Sequence, residues 1–391
     1  MLNFTFHNDT ELIFGKGTET QTGYKIKQYG QRALVCSYGD ADTTGIVQKI
    51  YAILTKSGVD FIELSKIKPN PEIASVYEGI RLVKEHQLDF ILAVGGGSII
   101  DTAKAIAAGV MYPGDVWDLY THKAEFSQAM PTGVILTYPA TGSESSNGSV
   151  ITNQALGMKL AIVHNCLRPR FAIMNPEFTL TLPPYHTFCG AADIMSHVFE
   201  RYFSRTEHTD LTDRISEAIV RTVIRNALIL LENPADYDAR SEIMFAGTLA
   251  HNDLVGMGRT QDWASHMISM EIGALYDATH GAALAVITPW WMRYVYENHL
   301  TRFIQFAMRI MDVEYDIDDP KRTAWEGIYR LEAFFRRLGL PTTLKEIGIT
   351  NDDRFAEIAR KYVQDYGVFG EIKALNETDV VNILNMARGE I

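Results

Sequence analysis

The stretch Phe90-Ile-Leu-Ala-Val-Gly-Gly-Gly-Ser-Ile-Ile-Asp-Thr-Ala-Lys104 joins a compact apolar run to three glycines and then to a helix-forming segment. We interpret Phe90–Val94 as a buried strand that ends at the glycines. Glycines let a backbone approach a pyrophosphate closely, and free N–H groups at a helix start favour an anion. The usual dinucleotide fingerprint is incomplete, because its third glycine position is Ile100. A tight strand–helix turn without any ligand is therefore the alternative.

The chain before this stretch repeats the same alternation of strand and helix. Ala33–Tyr38 and Phe61–Leu64 are compact apolar runs typical of buried strands. A helix that includes Ile46, Ile50, Ile53 and Leu54 is predicted to stop before Gly58, and another is predicted from about Glu72 to His86. Such repetition predicts an α/β domain with a parallel sheet and right-handed crossovers.

The second half of the chain is predicted to be mainly helical. Further helices are predicted over Arg214–Leu231, Glu242–Leu254, Ala324–Leu338 and the C-terminal segment. One apolar helical stripe consists of Phe188, Ala191, Ala192, Met195, Val198, Phe199 and Tyr202. We predict a domain boundary near residue 180, with an α/β domain over 1–180 and an all-α domain over 181–391.

A second polar turn follows another predicted strand. Val134–Leu136 runs into Thr137-Tyr-Pro-Ala-Thr-Gly-Ser-Glu-Ser145, which is rich in small hydroxyl residues. Such residues just past a strand end lie where parallel sheets bind their ligands. The alternative is a Ser/Thr-rich loop that caps its own backbone.

One carboxylate and three imidazoles in the second half could bind a divalent transition metal. Asp193 and His197 are spaced four residues apart, so they share one helix face. His266 lies in an apolar helical segment where an unpartnered imidazole would cost free energy, and His280 follows a short polar turn. Imidazole and carboxylate ligands without thiolates suit Fe²⁺ or Zn²⁺.

Each of these residues also has a simpler interpretation. Asp193, His197, Glu200 and Ser204 could form the solvated edge of an amphipathic helix, and buried histidines are often hydrogen-bonded core residues. Because three histidines and a carboxylate occur in one half of the chain, we favour a metal site over these simpler interpretations. A metal and a dinucleotide in one chain together indicate hydride transfer.

Composition excludes several other classes of protein. A net charge of −12 argues against a nucleic-acid partner. We expect no signal peptide and no membrane span, because the chain lacks a leader pattern and any run of about 18 apolar residues. Three scattered cysteines, Cys36, Cys166 and Cys189, fit a reducing cytoplasm.

Taken together, these motifs resemble those of the iron-containing (group III) alcohol dehydrogenases, in particular the branch of NADPH-dependent butanol dehydrogenases and aldehyde reductases. The similarity runs through nearly the whole chain and is far more specific than any single motif. The matching segments are Leu12–Gly17, Pro69–Pro71, Gly95–Lys104, Pro139–Glu144, Asn175–Glu177, Gly190–His197 and Asp262–His280.

The resemblance implies a dehydroquinate synthase-like architecture, with cofactor and metal in a cleft between an N-terminal dinucleotide-binding domain and a C-terminal helical domain. By position, the family's metal ligands correspond to Asp193, His197, His266 and His280, which would be catalytic through the metal. The residues predicted to bind the cofactor are Gly39, Asp40, Asn70, Gly96, Gly97, Ser98, Asp101, Thr137, Tyr138, Thr141 and Lys159. Among these, Gly96–Ser98 match the pyrophosphate contacts, Lys159 a ribose contact and Asn70 the adenine side.

Two positions depart from the family pattern. Many members have a histidine four residues after the third ligand, proposed to help in proton transfer, where this chain has Met270. A thioether cannot shuttle a proton, so water, a ribose hydroxyl or another side chain must do so. After the first strand, Asp40 and Asp42 favour NAD(H), since a carboxylate there would repel a 2′-phosphate, whereas the branch favours NADP(H). A helix cap or a solvated turn is the alternative role for both aspartates.

The function predicted from the sequence is a cytoplasmic, metal-dependent alcohol dehydrogenase or aldehyde reductase that uses NAD(P)H on small aldehydes and primary alcohols. One alternative is a dehydroquinate synthase-like lyase, which the apolar Met267, Ile268 and Met270 disfavour because a phosphate-bearing substrate needs cationic groups. The other is a nucleotide- or metal-binding sensor with a weakened site. The family suggests a homodimer, through an N-terminal strand around Asn3–Phe14.

Overall fold

The computed structural model describes residues 1–39, 44–351 and 353–389. The chain divides into two compact units, His7–Leu182 and Pro183–Ile391, and the second unit also includes Met1–Phe6. Within the described residues, every strand lies in the first unit, whereas the second is helical. The dinucleotide-binding and metal-binding roles of 1–180 and 181–391 stay predictions.

The first unit is built on a six-stranded parallel sheet of order β1-β8-β5-β4-β2-β3, beside an antiparallel pair, β6-β7. The strands are β1 (Glu11–Phe14), β2 (Arg32–Cys36), β3 (Asp60–Leu64), β4 (Phe90–Gly95), β5 (Thr132–Leu136), β6 (Gly148–Asn153), β7 (Met158–Val163) and β8 (Phe171–Met174). The helices are α1 (Thr22–Ile26), α2 (Ile46–Ser57), α3 (Ile73–His86), α4 (Gly97–Met111) and α5 (Trp117–Tyr120). The predicted parallel α/β fold is confirmed.

The central strands of the sheet are buried over their whole length. Every residue of β4 and β5 is buried, as expected for central strands covered on both faces. β6 and β7 differ, because their exposure is mixed and they are joined by a short turn that ends at Gly157, whose φ is 61°. This pair of strands is not predicted from the sequence.

The second unit packs helices around an apolar core. The helices are α6 (Pro184–Tyr202), α7 (Asp210–Glu232), α8 (Tyr237–Ala250), α9 (Ala264–Tyr276), α10 (His280–Val295), α11 (Leu300–Arg309), α12 (Pro320–Arg337), α13 (Phe355–Tyr366) and α14 (Glu377–Ala387). The helix predicted to reach Leu254 ends at Ala250. There the Asn252 side chain accepts the Leu254 N–H, and Asp253 adopts a left-handed conformation with φ 75°. None of the described helices is both long and apolar enough to span a bilayer.

Helix α6 has no solvated edge over most of its length. Every residue from Thr187 to Tyr202 is buried, because α7, α8, α9 and α10 all pack against this helix. The expected apolar stripe is therefore buried, but so are Asp193, His197 and Glu200 on its polar face. The solvated-edge interpretation of that face is wrong.

Candidate active site

The carboxyl edge of the sheet has a topological switch point between β2 and β4. β3, which follows β2 in the chain, pairs on one side of β2, whereas β4 pairs on the other. Open α/β sheets bind ligands in the crevice beyond such strand ends. Gly39 lies just after β2 with φ 62°, and a Cβ placed on it would lie 2.5 Å from Ser65 Cβ. Asp40 and Asp42 lie outside the described residues.

The two polar turns predicted from the sequence lie against each other at this edge. The Thr137 N–H donates to the Gly95 carbonyl at 3.1 Å. A Cβ on Gly97 would lie 2.5 Å from Thr141 Cγ2, and one on Gly96 would lie 3.0 Å from Tyr138 Cβ. The turns can approach this closely only because side chains are absent at both glycines.

Helix α4 begins directly at the glycine turn. Gly97 and Ser98 are its first two residues, so their N–H groups belong to the helix end that has no intrahelical acceptors. A helix start of this kind favours an anionic group such as a pyrophosphate. The local geometry therefore suits the pyrophosphate role predicted for Gly96, Gly97 and Ser98.

Asn70 and Lys159 meet, although 89 positions separate them in the chain. Lys159 Nζ donates to Asn70 Oδ1 at 3.0 Å, and Asn70 adopts a left-handed conformation with φ 54°. The Thr152 N–H also donates to the Pro71 carbonyl at 2.8 Å, which fixes the β6-β7 pair beside the Pro69–Pro71 turn. The two residues predicted at the nucleoside side therefore belong to one cluster.

Asp101 is placed differently from the other predicted cofactor residues. Its Oδ1 accepts a hydrogen bond from Ser143 Oγ at 2.6 Å, and its Oδ2 accepts one from the Val150 N–H at 3.0 Å. Lys104 donates to Ser143 Oγ at 2.9 Å and to the Gly148 carbonyl at 3.0 Å. Both Asp101 oxygens therefore accept hydrogen bonds from the segment that follows β5, between Ser143 and Val150.

In the helical unit, three imidazoles surround one carboxylate oxygen. Asp193 Oδ1 lies 3.5 Å from His197 Nδ1, 3.7 Å from His266 Nε2 and 3.7 Å from His280 Nε2. One donor atom from each of Asp193, His266 and His280 lies within 4.8 Å of the other two. The His197 and His266 ring centroids are 4.7 Å apart. Asp193, His266 and His280 therefore form a group of mutually close donors, and His197 lies beside Asp193.

These residues fit a divalent ion. Two donors bound to one ion at tetrahedral geometry and ~2.1 Å lie roughly 3.4 Å apart, close to the separations around Asp193. Asp193 Oδ1, His197 Nδ1 and His266 Nε2 are buried, and none has a hydrogen-bond partner among the described residues. Burying such atoms unpaired costs free energy, and a cation bound by them would remove that cost.

The predicted ligands lie on three helices that approach closely. Asp193 and His197 lie one turn apart on α6, His266 lies in the first turn of α9, and His280 is the first residue of α10. A Cβ on Gly281 would lie 2.1 Å from the Cys189 carbonyl oxygen, so only glycine allows this approach of α10 to α6.

Comparison with known proteins assigns the chain to a family. The family model described as "Iron-containing alcohol dehydrogenase" matches residues 9–176, and that of the family's C-terminal domain matches residues 187–388. The chain belongs to the iron-containing alcohol dehydrogenase family. The family and the enzyme class predicted from the sequence are therefore confirmed.

Individual members of the iron-containing alcohol dehydrogenase family match nearly the whole chain. A protein of Bacillus subtilis (strain 168) described as a probable NADH-dependent butanol dehydrogenase is 43% identical over 387 residues, which cover 98% of this chain and 99% of the relative. An NADPH-dependent aldehyde reductase of Escherichia coli (strain K12) is 34% identical over 352 residues, which cover 89% of this chain and 90% of that protein. The crystal structure of an NADH-dependent butanol dehydrogenase from Thermotoga maritima matches with a TM-score of 0.93 and 34% identity, over 99% of each chain.

In this iron-containing alcohol dehydrogenase, sequence reasoning missed the contact that Glu200 makes. Glu200 Oε1 accepts hydrogen bonds from His266 Nδ1 at 2.7 Å, from Ser265 Oγ at 2.5 Å and from the His266 N–H at 3.1 Å. Glu200 lies seven residues after Asp193 in α6, so the helical period places both on one face. That spacing indicates a shared face of α6 and gives no signal for the contact with α9.

The charges around the cluster act on its imidazoles. Burial lowers the pKa of His266, but the nearby Asp193 carboxylate and the hydrogen-bonded Glu200 carboxylate outweigh this effect and raise that pKa to about 9. Burial, together with the neighbouring His251 and His266, holds the pKa of His197 well below its usual value. Met270, where many family members have a histidine, is a buried residue of α9.

Proposed function

We propose that this iron-containing alcohol dehydrogenase interconverts small aliphatic aldehydes and primary alcohols. In this proposal NADH is the preferred cofactor, and Asp193, His197, His266 and His280 bind an Fe²⁺ or Zn²⁺ ion. The observation that carries the proposal is the convergence of three imidazole nitrogens to within 3.7 Å of Asp193 Oδ1 in a member of this family.

The donor set supports the choice of ion. Three imidazoles and one carboxylate suit Fe²⁺ or Zn²⁺, and the absence of thiolates from the set disfavours a structural zinc site. When bound, such an ion supplies Lewis-acid polarisation of a carbonyl oxygen, and NADH supplies the hydride. The chain's own contribution is to hold the three imidazoles 3.5 to 3.7 Å from the buried Asp193 Oδ1, with His197 and His266 buried and His280 part-exposed.

The cofactor preference is supported by the relatives and by one carboxylate. The Bacillus relative and the Thermotoga structure are both described as NADH-dependent, and the NADPH-dependent Escherichia relative is less similar in sequence than the Bacillus protein. Asp40 follows β2 in the sequence, where a carboxylate would hydrogen-bond a ribose 2′-hydroxyl and repel a 2′-phosphate.

Apolar groups beside the cluster support a small aliphatic substrate. The Trp263 ring centroid lies 5.1 Å from that of His266 and 6.1 Å from that of His197. The names of the butanol dehydrogenase relatives agree with such a substrate. Butanal is therefore the first substrate to test.

We also propose a cytoplasmic homodimer. β1 is the edge strand of the sheet, pairing with β8 on one side, and Phe14 at its end is 40% exposed. An open strand edge with an apolar side chain can pair with a second copy. Within the Asn3–Phe14 segment, the structure forms strand only over Glu11–Phe14. The free thiols of Cys36, Cys166 and Cys189 fit a reducing compartment.

The test combines metal analysis with kinetics. NADH oxidation by butanal is measured for the metal-loaded wild type, the chelated protein, His266→Ala and the control His208→Ala, whose side chain is 88% exposed. We expect chelation and His266→Ala each to reduce kcat/KM by at least about 100-fold, since several kcal/mol of polarisation are lost. The control should keep both metal and activity. Full activity in demetallated protein, or in His266→Ala, would contradict the proposal.

A further inference from the structure

The Glu200 carboxylate contacts the start of helix α9 through a single oxygen. Its Oε1 accepts from Ser265 Oγ at 2.5 Å, from the His266 N–H at 3.1 Å and from His266 Nδ1 at 2.7 Å. Glu200 is only 1% exposed, so water cannot replace these contacts. The position of the His266 ring therefore depends on this one carboxylate.

The contact determines which nitrogen of His266 carries its proton. A neutral imidazole has one N–H and one lone pair, and a carboxylate beside Nδ1 holds the N–H at that atom. The lone pair is then on Nε2, which lies 3.7 Å from Asp193 Oδ1 and has no hydrogen-bond partner among the described residues. This is the tautomer that a metal ligand requires.

The charge of Glu200 also needs a compensating cation. Its second oxygen, Oε2, is buried and has no hydrogen-bond partner among the described residues. Burying an ionised carboxylate in this way is costly unless positive charge lies nearby. The buried Arg201 guanidinium supplies part of that charge, and a divalent ion bound beside His266 would add to it.

We propose that Glu200 is a positioning residue that acts through His266, by fixing its tautomer and ring orientation and so raising the affinity of the cluster for its divalent ion. The inference rests on the proposed function, because it takes His266 as a ligand. Glu200 has no direct contact with substrate or ion in this proposal.

The experiment measures ion affinity rather than turnover. Apo protein is titrated with Zn²⁺, and separately with Co²⁺, against a chromophoric chelator for wild type, Glu200→Gln, Ser265→Ala and His266→Ala. The matched control is Glu217→Gln, which changes another buried carboxylate, hydrogen-bonded by Tyr202 Oη at 3.0 Å in the same unit. Thermal melting of each apo protein reports any general loss of stability.

We expect Glu200→Gln to weaken Zn²⁺ binding by about 10- to 100-fold, the usual effect of losing such an outer partner. Ser265→Ala removes one donor to Glu200 and leaves His266 in place, so we expect a smaller loss, of about two- to fivefold. Glu217→Gln should bind Zn²⁺ like wild type, even if its melting temperature falls.

The outcomes separate this inference from the proposed function. If His266→Ala loses the ion while Glu200→Gln binds it within twofold of wild type, the role of Glu200 is overturned and the metal site stands. An equal loss of affinity in Glu217→Gln also overturns it. If wild type binds no stoichiometric ion, both proposals fail. Should Glu200→Gln not fold, Ser265→Ala decides, because unchanged affinity in that variant overturns the inference.

Discussion

The backbone carbonyl oxygen of Cys189 lies 2.1 Å from the point where a β-carbon on Gly281 would stand. Cys189 lies one turn before Asp193 in α6, and Gly281 directly follows His280 in α10. The missing side chain at residue 281 therefore allows His280 Nε2 to come within 3.7 Å of Asp193 Oδ1.

Replacing Gly281 with alanine should disrupt the metal cluster. The new methyl group would clash with a backbone carbonyl, which cannot rotate away, so α10 must shift from α6. We expect a loss of about 1–3 kcal/mol of stability from overpacking and at least a tenfold loss of ion affinity. Denaturant unfolding and Zn²⁺ titration of the folded protein measure the two effects.

Gly327→Ala is the control for this variant. A Cβ on Gly327 would lie 2.5 Å from Ala307 Cβ, so it also overpacks a helix crossing in the same unit, between α12 and α11. We expect it to lower stability and to leave ion affinity unchanged. Equal ion affinity in the Gly281→Ala and wild-type proteins would show that this contact does not position His280.

Replacing Gly97 with alanine should weaken cofactor binding. Its methyl group would lie 2.5 Å from Thr141 Cγ2 and would push the two polar turns apart. We expect KM for NADH to rise at least about tenfold, with a smaller change in kcat, because binding is affected more than chemistry. Steady-state kinetics with a saturating aldehyde measure both constants.

The double variant Gly97→Ala/Thr141→Ser tests the cause of that effect. Serine lacks the Cγ2 methyl group of Thr141, so the contact at 2.5 Å disappears, and the remaining hydroxyl, 2.7 Å away in Thr141, is able to rotate into the space that the methyl group leaves. We expect part of the affinity for NADH to return. A double variant as weak as Gly97→Ala would contradict the steric explanation.

The buried Lys104 should make stability depend on pH. Burial lowers its pKa to about 8, below its usual value of 10.5. Between these values the unfolded chain binds more protons than the folded one, so the free energy of unfolding rises with pH. Relative to Lys104→Met, wild type should gain at most about 1.4 kcal/mol per pH unit above pH 8.

Urea unfolding of wild type and Lys104→Met at pH 7.5 and pH 9.5 measures this difference. Below pH 8 both states of the wild type bind the Lys104 proton, so its contribution should be constant there. A difference that does not change between the two pH values would show that Lys104 keeps its ordinary pKa.

Exchanging Asp40 should change the cofactor preference. Asp40→Ser removes a carboxylate that would repel a 2′-phosphate, so we expect kcat/KM with NADPH to rise about tenfold and that with NADH to fall. Asp42→Ser removes the other carboxylate of this turn, and comparison of the two variants shows which aspartate acts on the cofactor preference. An unchanged ratio in Asp40→Ser would show that Asp40 lies away from the ribose.

Local patterns in the sequence predicted the parts of the site that depend on helix or strand periodicity. Asp193 and His197, four residues apart in the sequence, lie one turn apart on α6. The glycines predicted to follow a strand do lie at the end of β4. Both predictions succeeded because each depends on one element alone. β4, predicted to end at Val94, ends at Gly95, whereas β2, predicted to run to Tyr38, ends at Cys36.

Relations between distant segments could not be read from such patterns. The contact of Asn70 with Lys159 depends on the β6-β7 pair, which the sequence did not predict. The sequence did indicate that Glu200 belongs to the polar face of the helix that contains Asp193 and His197. Its contact with His266 could be found only once α9 was placed against α6, because solvated and buried polar faces share one spacing.

Helix α6 constrains how this enzyme can be altered by laboratory evolution. Every residue of Thr187–Tyr202 is buried, so a larger side chain there has no space to fill and a newly charged one has no contact with solvent. Libraries that randomise this helix should be dominated by misfolded variants. Diversity intended to change the range of accepted alcohols is better placed in the connections that precede α9 and α10.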